Sequence, residues 1–193
     1  VYKRQGTHWH ILTDTVRGAG NNLSSNSTIA QYTDGQPTFN NNGFNLLNSN
    51  GDYNGSGLTY ASWTFRKQPK FFDIVTYTGN GANRTIAHNL GSAPGCIIIK
   101  CTSTAKQWVI WHRSGTQLNN YCAYFTTGGY INQGTSTWGA NGGVPSMTST
   151  TFSLGSDSEV NESGATYVAY LFAHDAGGFG LTGTDNVISC GSY

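Results

Sequence analysis

Charge is what this 193-residue sequence has least of. Asp, Glu, Lys and Arg make up 10% of it, ten basic against nine acidic residues, for a formal net charge of +1. That balance offers no electrostatic footprint for nucleic acid or for an anionic membrane. Long apolar runs are missing too: none approaches the ~20 residues of a membrane span, which argues against membrane insertion. Helical periodicity is absent, because Gly, Asn, Ser and Thr interrupt every window in which apolar residues would recur at 3.6 spacing. The few carboxylates sit mostly in turn-like stretches, and no Ser/His/Asp or Cys/His set carries a local signature. The sequence therefore does not read as an enzyme. Nor does it call for a cofactor. Its Gly-containing stretch "HNLGSAPG" (88–95) precedes a strand, whereas a phosphate cradle follows one and opens a helix.

What the sequence does have is 26 glycines, abundant Asn, Ser and Thr, and 13% aromatic residues. The neutral polar residues suit a solvated surface, and the aromatics argue for a packed core rather than disorder. Strand patterns are frequent. "FFDIVTYTG" (71–79) alternates Phe72, Ile74 and Thr76 against Phe71, Asp73, Val75 and Tyr77. "GCIIIKC" (95–101) is a short apolar run of the kind buried on both faces. "HWHILTD" (8–14), "QWVIWHR" (107–113), "YCAYF" (121–125), "TTFSLG" (150–155) and "TYVAYLFAH" (166–174) follow the same rule, with Gly/Asn turn clusters between them. The fold class expected is all-β, antiparallel sandwich. The four cysteines, Cys96, Cys101, Cys122 and Cys190, show no CxxC spacing and read as reduced, mostly buried thiols.

One strand is written twice. "SGLTYASWTFRK" (56–67) and "SGATYVAYLFAHD" (163–175) align at an offset of 107, with Asn54, Ser56, Gly57, Thr59, Tyr60 and Phe65 matching Asn161, Ser163, Gly164, Thr166, Tyr167 and Phe172. "NGFNLLNS" (42–49), "WHILTD" (9–14) and "VYKR" (1–4) resemble "TTFSLGSD" (150–157), "WVIWHR" (108–113) and "IIIK" (97–100), and the closing "VISCGSY" (187–193) resembles "FFDIVTY" (71–77). The expectation is of tandem, jelly-roll-like units: residues 1–68 as a first unit lacking its opening strands, 69–175 as a complete second, and 176–193 as a Gly-rich linker with the first strand of a third. Both ends then read as cut from a longer polypeptide. The recurring face assigns Trp63 and Trp108 to the core.

Three constellations invite chemistry. His8 and His10 share one strand face with Asp14 beyond them. Such a pair suits Zn or Cu, but a third ligand is missing from the pattern, and the stretch reads first as a strand face with polar ends, with weak surface recognition as a further reading. The oxygen-rich stretches 48–57 and 155–164 read as hairpin loops, with a weaker Ca²⁺ reading for Asp157, Glu159 and Glu162. Trp138, in the Gly-rich "TSTWGANGG" (135–143), is the surface-recognition candidate. Its ring would stack on a sugar's C–H face while Asn141 bonds the hydroxyls.

Taken together, "FFDIVTYTGNGANRTIAHNLGSAPGCIIIK", "WVIWHRSG", "FSLGSDSEVNESGATYVAYLFAHD" and "GFG", with "HILTDTVRGAGNNLSSNST", "FNNNGFNL" and "TYASWTFRK" upstream, resemble a tandem β-domain of uncharacterised function. That domain occurs in tail-fibre-like and other virion structural proteins of bacteriophages, especially aquatic phages and cyanophages. The resemblance covers nearly the whole chain. It implies a structural component of a phage particle, of tail-fibre or appendage type, exposed on the virion surface and concerned with host attachment. Its partners would be other virion proteins, further copies of itself in a homo-oligomer, and a host surface glycan. A capsid decoration or head fibre, a lectin-like module and a polysaccharide depolymerase are the alternatives. The resemblance supplies no site residues.

Overall fold

The computed structural model describes residues 8–115, 121–125, 131–132, 136–139 and 146–191. The chain is built of antiparallel strands, with one four-residue helix, α1 (Ser158–Asn161), among the described residues. Its centre is a sheet of six strands: β6 (Phe72–Thr78), β8 (Cys96–Cys101), β9 (Trp108–His112), β10 (Tyr121–Tyr124), β11 (Ile131–Asn132) and β13 (Thr166–Phe172), in the order β11-β10-β9-β8-β13-β6. β13 is the keystone. It pairs with β6 from Thr166↔Thr78 to Phe172↔Phe72 and with β8 from Tyr167↔Cys101 to Phe172↔Cys96.

The sheet has two buried faces, and strict alternation decides which side chain goes where. Tyr167, Ala169 and Leu171 of β13 join Ile97, Ile99 and Cys101 of β8 and Val109 of β9 on one face. There they meet a two-stranded ribbon, β7 (Arg84–Ala87) with β12 (Thr151–Leu154), through Ile86, Phe152 and Leu154. Val168 and Tyr170 point the other way and join Phe72, Ile74 and Trp108. That second face is covered by the N-terminal segment. Leu23 of β2 (Asn21–Ser24) inserts into it, fully buried. Polar bonds fix the cover: the Trp108 indole N–H donates to Ser24 O and Ser27 O at 2.8 and 3.1 Å, and Gln31 N donates to Thr102 O at 2.9 Å. β2 is the middle strand of a small sheet between β1 (Ile11–Leu12) and β3 (Tyr32–Thr33). A separate hairpin, β4 (Thr38–Asn40) with β5 (Gly43–Asn45), follows.

Several expectations hold. β8, β9, β10, β12 and β13 fall on their patterns, β8 is buried on both faces, all four cysteines are free, and Trp108 is core. The duplicated strand does not hold. Residues 56–67 form no strand, and residues 56–70 are exposed without interruption. Trp63, expected in the core, is 81% exposed. The reason is pairing rather than composition. β13 has a neighbour on each side, whereas no described backbone group of 61–67 has a hydrogen-bond partner. Residues 43–45 also depart from their match: they close a hairpin with β4, whereas β12 pairs with β7. The closing stretch forms no strand through residue 191, and 1–4 lie outside the described residues.

One edge of the large sheet, β6, is closed by side chains. Lys67 Nζ bonds Asp73 at 2.7 Å and Ile74 O at 3.4 Å, the Asp73 carboxylate takes the Ile74 N–H, and Arg84 donates to Thr78 O at 2.8 Å. Charges placed on the outward backbone groups of an edge strand block addition of a further strand.

Candidate functional site

The three constellations come apart in space. Asp14 turns inward, 6% exposed. Its carboxylate accepts from Val16 N, Arg17 N, Arg17 Nε at 2.6 Å and the Tyr170 hydroxyl at 2.9 Å. Arg17 spends its remaining donors on Asn21 O, Gln31 Oε1, Leu12 O and the Tyr170 oxygen. This is a closed network, and a buried ion pair is tolerable only when its remaining hydrogen bonds are made as well. Burial, ahead of the neighbouring charges, raises the Tyr170 pKa. His8 lies instead beside Asp52, at 3.3 Å, and Asp52 accepts the Trp9 N–H. Among the described residues no three His, Cys, Asp or Glu side chains converge to hold a metal ion.

The acidic loop is likewise spent on structure. Asp157 caps α1 by accepting from Glu159 N and also takes the Thr137 hydroxyl at 2.6 Å. Glu159 accepts Gln107 N at 2.6 Å, and Glu162 pairs with Lys106 at 3.1 Å. The three carboxylates point to three different partners.

Trp138 does not lie at the surface. It is 0% exposed and packs in the cluster of Phe152, Leu154 and Val160. Its placement depends on backbone contact: Gly139 and Gly155 pack against one another, and a Cβ at Gly155 would overlap the Ser136 carbonyl. Asn141 lies outside the described residues.

Sequence reasoning missed two buried ionisable groups, Lys100 and His88. Lys100 is fully buried on the second sheet face and donates to Thr28 O at 3.0 Å and Lys106 O at 2.8 Å. Burial pulls its pKa down to about 8. His88, 5% exposed, accepts the Leu90 N–H on Nδ1, and burial lowers its pKa below the ordinary histidine value. Cys96 and Cys122 are pushed up to about 12 and about 11 by burial, so neither thiol is an activated nucleophile. The Arg17 network had a signal, an Asp and an Arg at i, i+3; Lys100 had one in a lone cation ending an apolar run.

Two surface features remain. A groove of about 390 Å³ opens between the N-terminal segment and the sheet, lined by Val16, Arg17, Gln31 and the threonines Thr76, Thr78, Thr102 and Thr166. The other feature is the segment at 56–67. Leu58, Trp63 and Phe65 are 45%, 81% and 51% exposed. It is anchored at one end, where the Phe65 ring lies 5.7 Å from Phe72 and edge-on to Phe172 at 5.9 Å. Exposed, aromatic and without a strand partner over 61–67 among the described residues, this surface suits association with another polypeptide or a sugar rather than bond making.

One family model matches residues 1–184, and it is described as a domain of unknown function (DUF7483). The chain belongs to that family. No curated protein and no solved structure shows significant similarity to it.

Proposed function

We propose that this member of a family of unknown function is a structural component of a bacteriophage particle, of tail-fibre or appendage type. Its β-rich units, read as tandem and jelly-roll-like, would contact other virion proteins and copies of themselves. The observation that supports this reading is how the polar groups are used. Asp14, Asp73, Asp157, Glu159, Arg17 and Lys100 are all committed to holding strands and loops together. What is left outside is a mainly neutral polar surface with few charges and an aromatic strip, the makings of a contact surface. The phage assignment comes from the sequence resemblance. Mass spectrometry of density-purified particles tests it: the account expects the chain in the particle at many copies, and its absence from clean particles contradicts the assignment.

A second reading, attachment to a host glycan, is favoured by the threonine-lined groove, where hydroxyl donors and acceptors flank the apolar Val16. A glycan array with the parent chain and Thr78→Val tests this; binding unchanged by the substitution removes the groove from consideration.

A further inference from the structure

We propose that residues 61–67 are an interface strand, which pairs antiparallel with the same segment of a second copy about a two-fold axis at Thr64. The proposal rests on the reading of the chain as a strand-built assembly part. It starts from an unsatisfied segment. The sequence there is strand-competent, since its match at an offset of 107, β13, is paired on both sides. Yet among the described residues no backbone group of 61–67 is hydrogen-bonded, and every residue of it is exposed. Such a row of unpaired N–H and C=O groups is a template for another strand.

The segment is also presented rather than loose. Phe65 is seated on Phe71, Phe72 and Phe172, and Lys67 is tied to Asp73. The competing edge, β6, is blocked by Lys67, Asp73 and Arg84. An incoming strand therefore meets 61–67 as the open template.

The occupant follows from self-complementarity. With Thr64 on the axis, Trp63 stands opposite the other copy's Phe65, Ser62 opposite Arg66, and Ala61 opposite Lys67. Cross-strand aromatic pairs stabilise such a ladder and like charges face to face weaken it. This register makes the aromatic pair twice and sets both cations against small residues. It also lays each exposed Trp63 over the other copy's phenylalanine cluster, extending the second face of the sheet across the axis. Isologous pairing of this kind closes as a dimer.

Sedimentation of the 193-residue chain over a concentration series, with amide exchange, tests this. The expected result is a dimer in which amides within 61–67 exchange at least ~10-fold more slowly than in dilute monomer. Thr64→Pro should be monomeric at every concentration, with the urea midpoint that the parent shows where it is monomeric. Under oxidation Thr64→Cys should cross-link to its twin, whereas Ser62→Cys, whose counterpart is Arg66, should not. A monomer at every concentration overturns the proposal, as does a dimer that Thr64→Pro leaves intact. A monomer with 61–67 already protected overturns it as well, because a strand of the same chain then fills the place. None of these failures removes the chain from the particle, so the virion reading would stand apart from them.

Discussion

Two tryptophans define the residue scale. Trp138 and Trp63 both lie in Gly- and Ser-rich surroundings, yet one is 0% and the other 81% exposed. Truncating Trp138 to Ala removes a filled core volume and should cost about 3–5 kcal/mol by urea unfolding. Trp63→Ala, with no described core contact, should stay within about 0.5 kcal/mol of the parent under conditions where the chain is monomeric. Neither outcome was legible in the sequence. Trp63 repeats a core position of β13, and Trp138 stands in what reads as a loop. Burial of Trp138 is set by the approach of Gly139 to Gly155, 16 residues along the chain, which no local pattern encodes. His88 gives a pH signature. Its folded pKa is lowered by burial, so the unfolded chain takes up the proton first as pH falls. Stability should therefore be complete above the ordinary histidine pKa of about 6.5 and decline as pH falls below it. His88→Asn, which keeps an acceptor for Leu90 N, should flatten that decline in urea midpoints taken between about pH 7 and 5.

At the scale of elements, the same strand text has two fates. β13 has β6 and β8 beside it and forms the centre of the fold; its copy at 59–65 forms no strand, and residues 61–65 pair with no strand among the described residues. Pattern encodes the capacity to pair and the face that would be buried, which is why β6, β8, β9, β12 and β13 were readable. It does not encode which partner arrives. The cover over the second face was unreadable for a related reason: it is largely irregular chain, with Leu23 as its buried apolar plug and backbone carbonyls as its anchors. A matched pair of substitutions separates the two fates. Leu171→Pro, at a position of β13 paired on both sides, should abolish folding by circular dichroism, while Thr64→Pro at the equivalent offset should leave the spectrum unchanged. The β6 edge carries its own expectation. Replacing Lys67 and Arg84 by Thr removes the side chains that occupy the Ile74 and Thr78 carbonyls. The double variant should aggregate faster than the parent by light scattering at equal concentration.

At the scale of the whole molecule, the described residues centre on one six-stranded sheet buried on both faces, with Asp14, Arg17, Asp73, Lys100, Asp157 and Glu159 turned to structural use and an aromatic strip left outside. The family match runs over residues 1–184, through both the expected boundary at 68/69 and that at 175/176, and the N-terminal segment supplies one of the two faces of the core. Such a body has what a building block needs: a frame of paired strands, a near balance of charge and, in the proposed interface, a place for another strand. The proposed role is therefore that of a repeated part in a phage appendage, with host attachment carried by the assembled array. Gold-labelled antibody raised against this chain and applied to intact particles tests that claim most directly. The account predicts regularly spaced label on a tail fibre or appendage; particles that carry no label while free protein in the lysate does would contradict it.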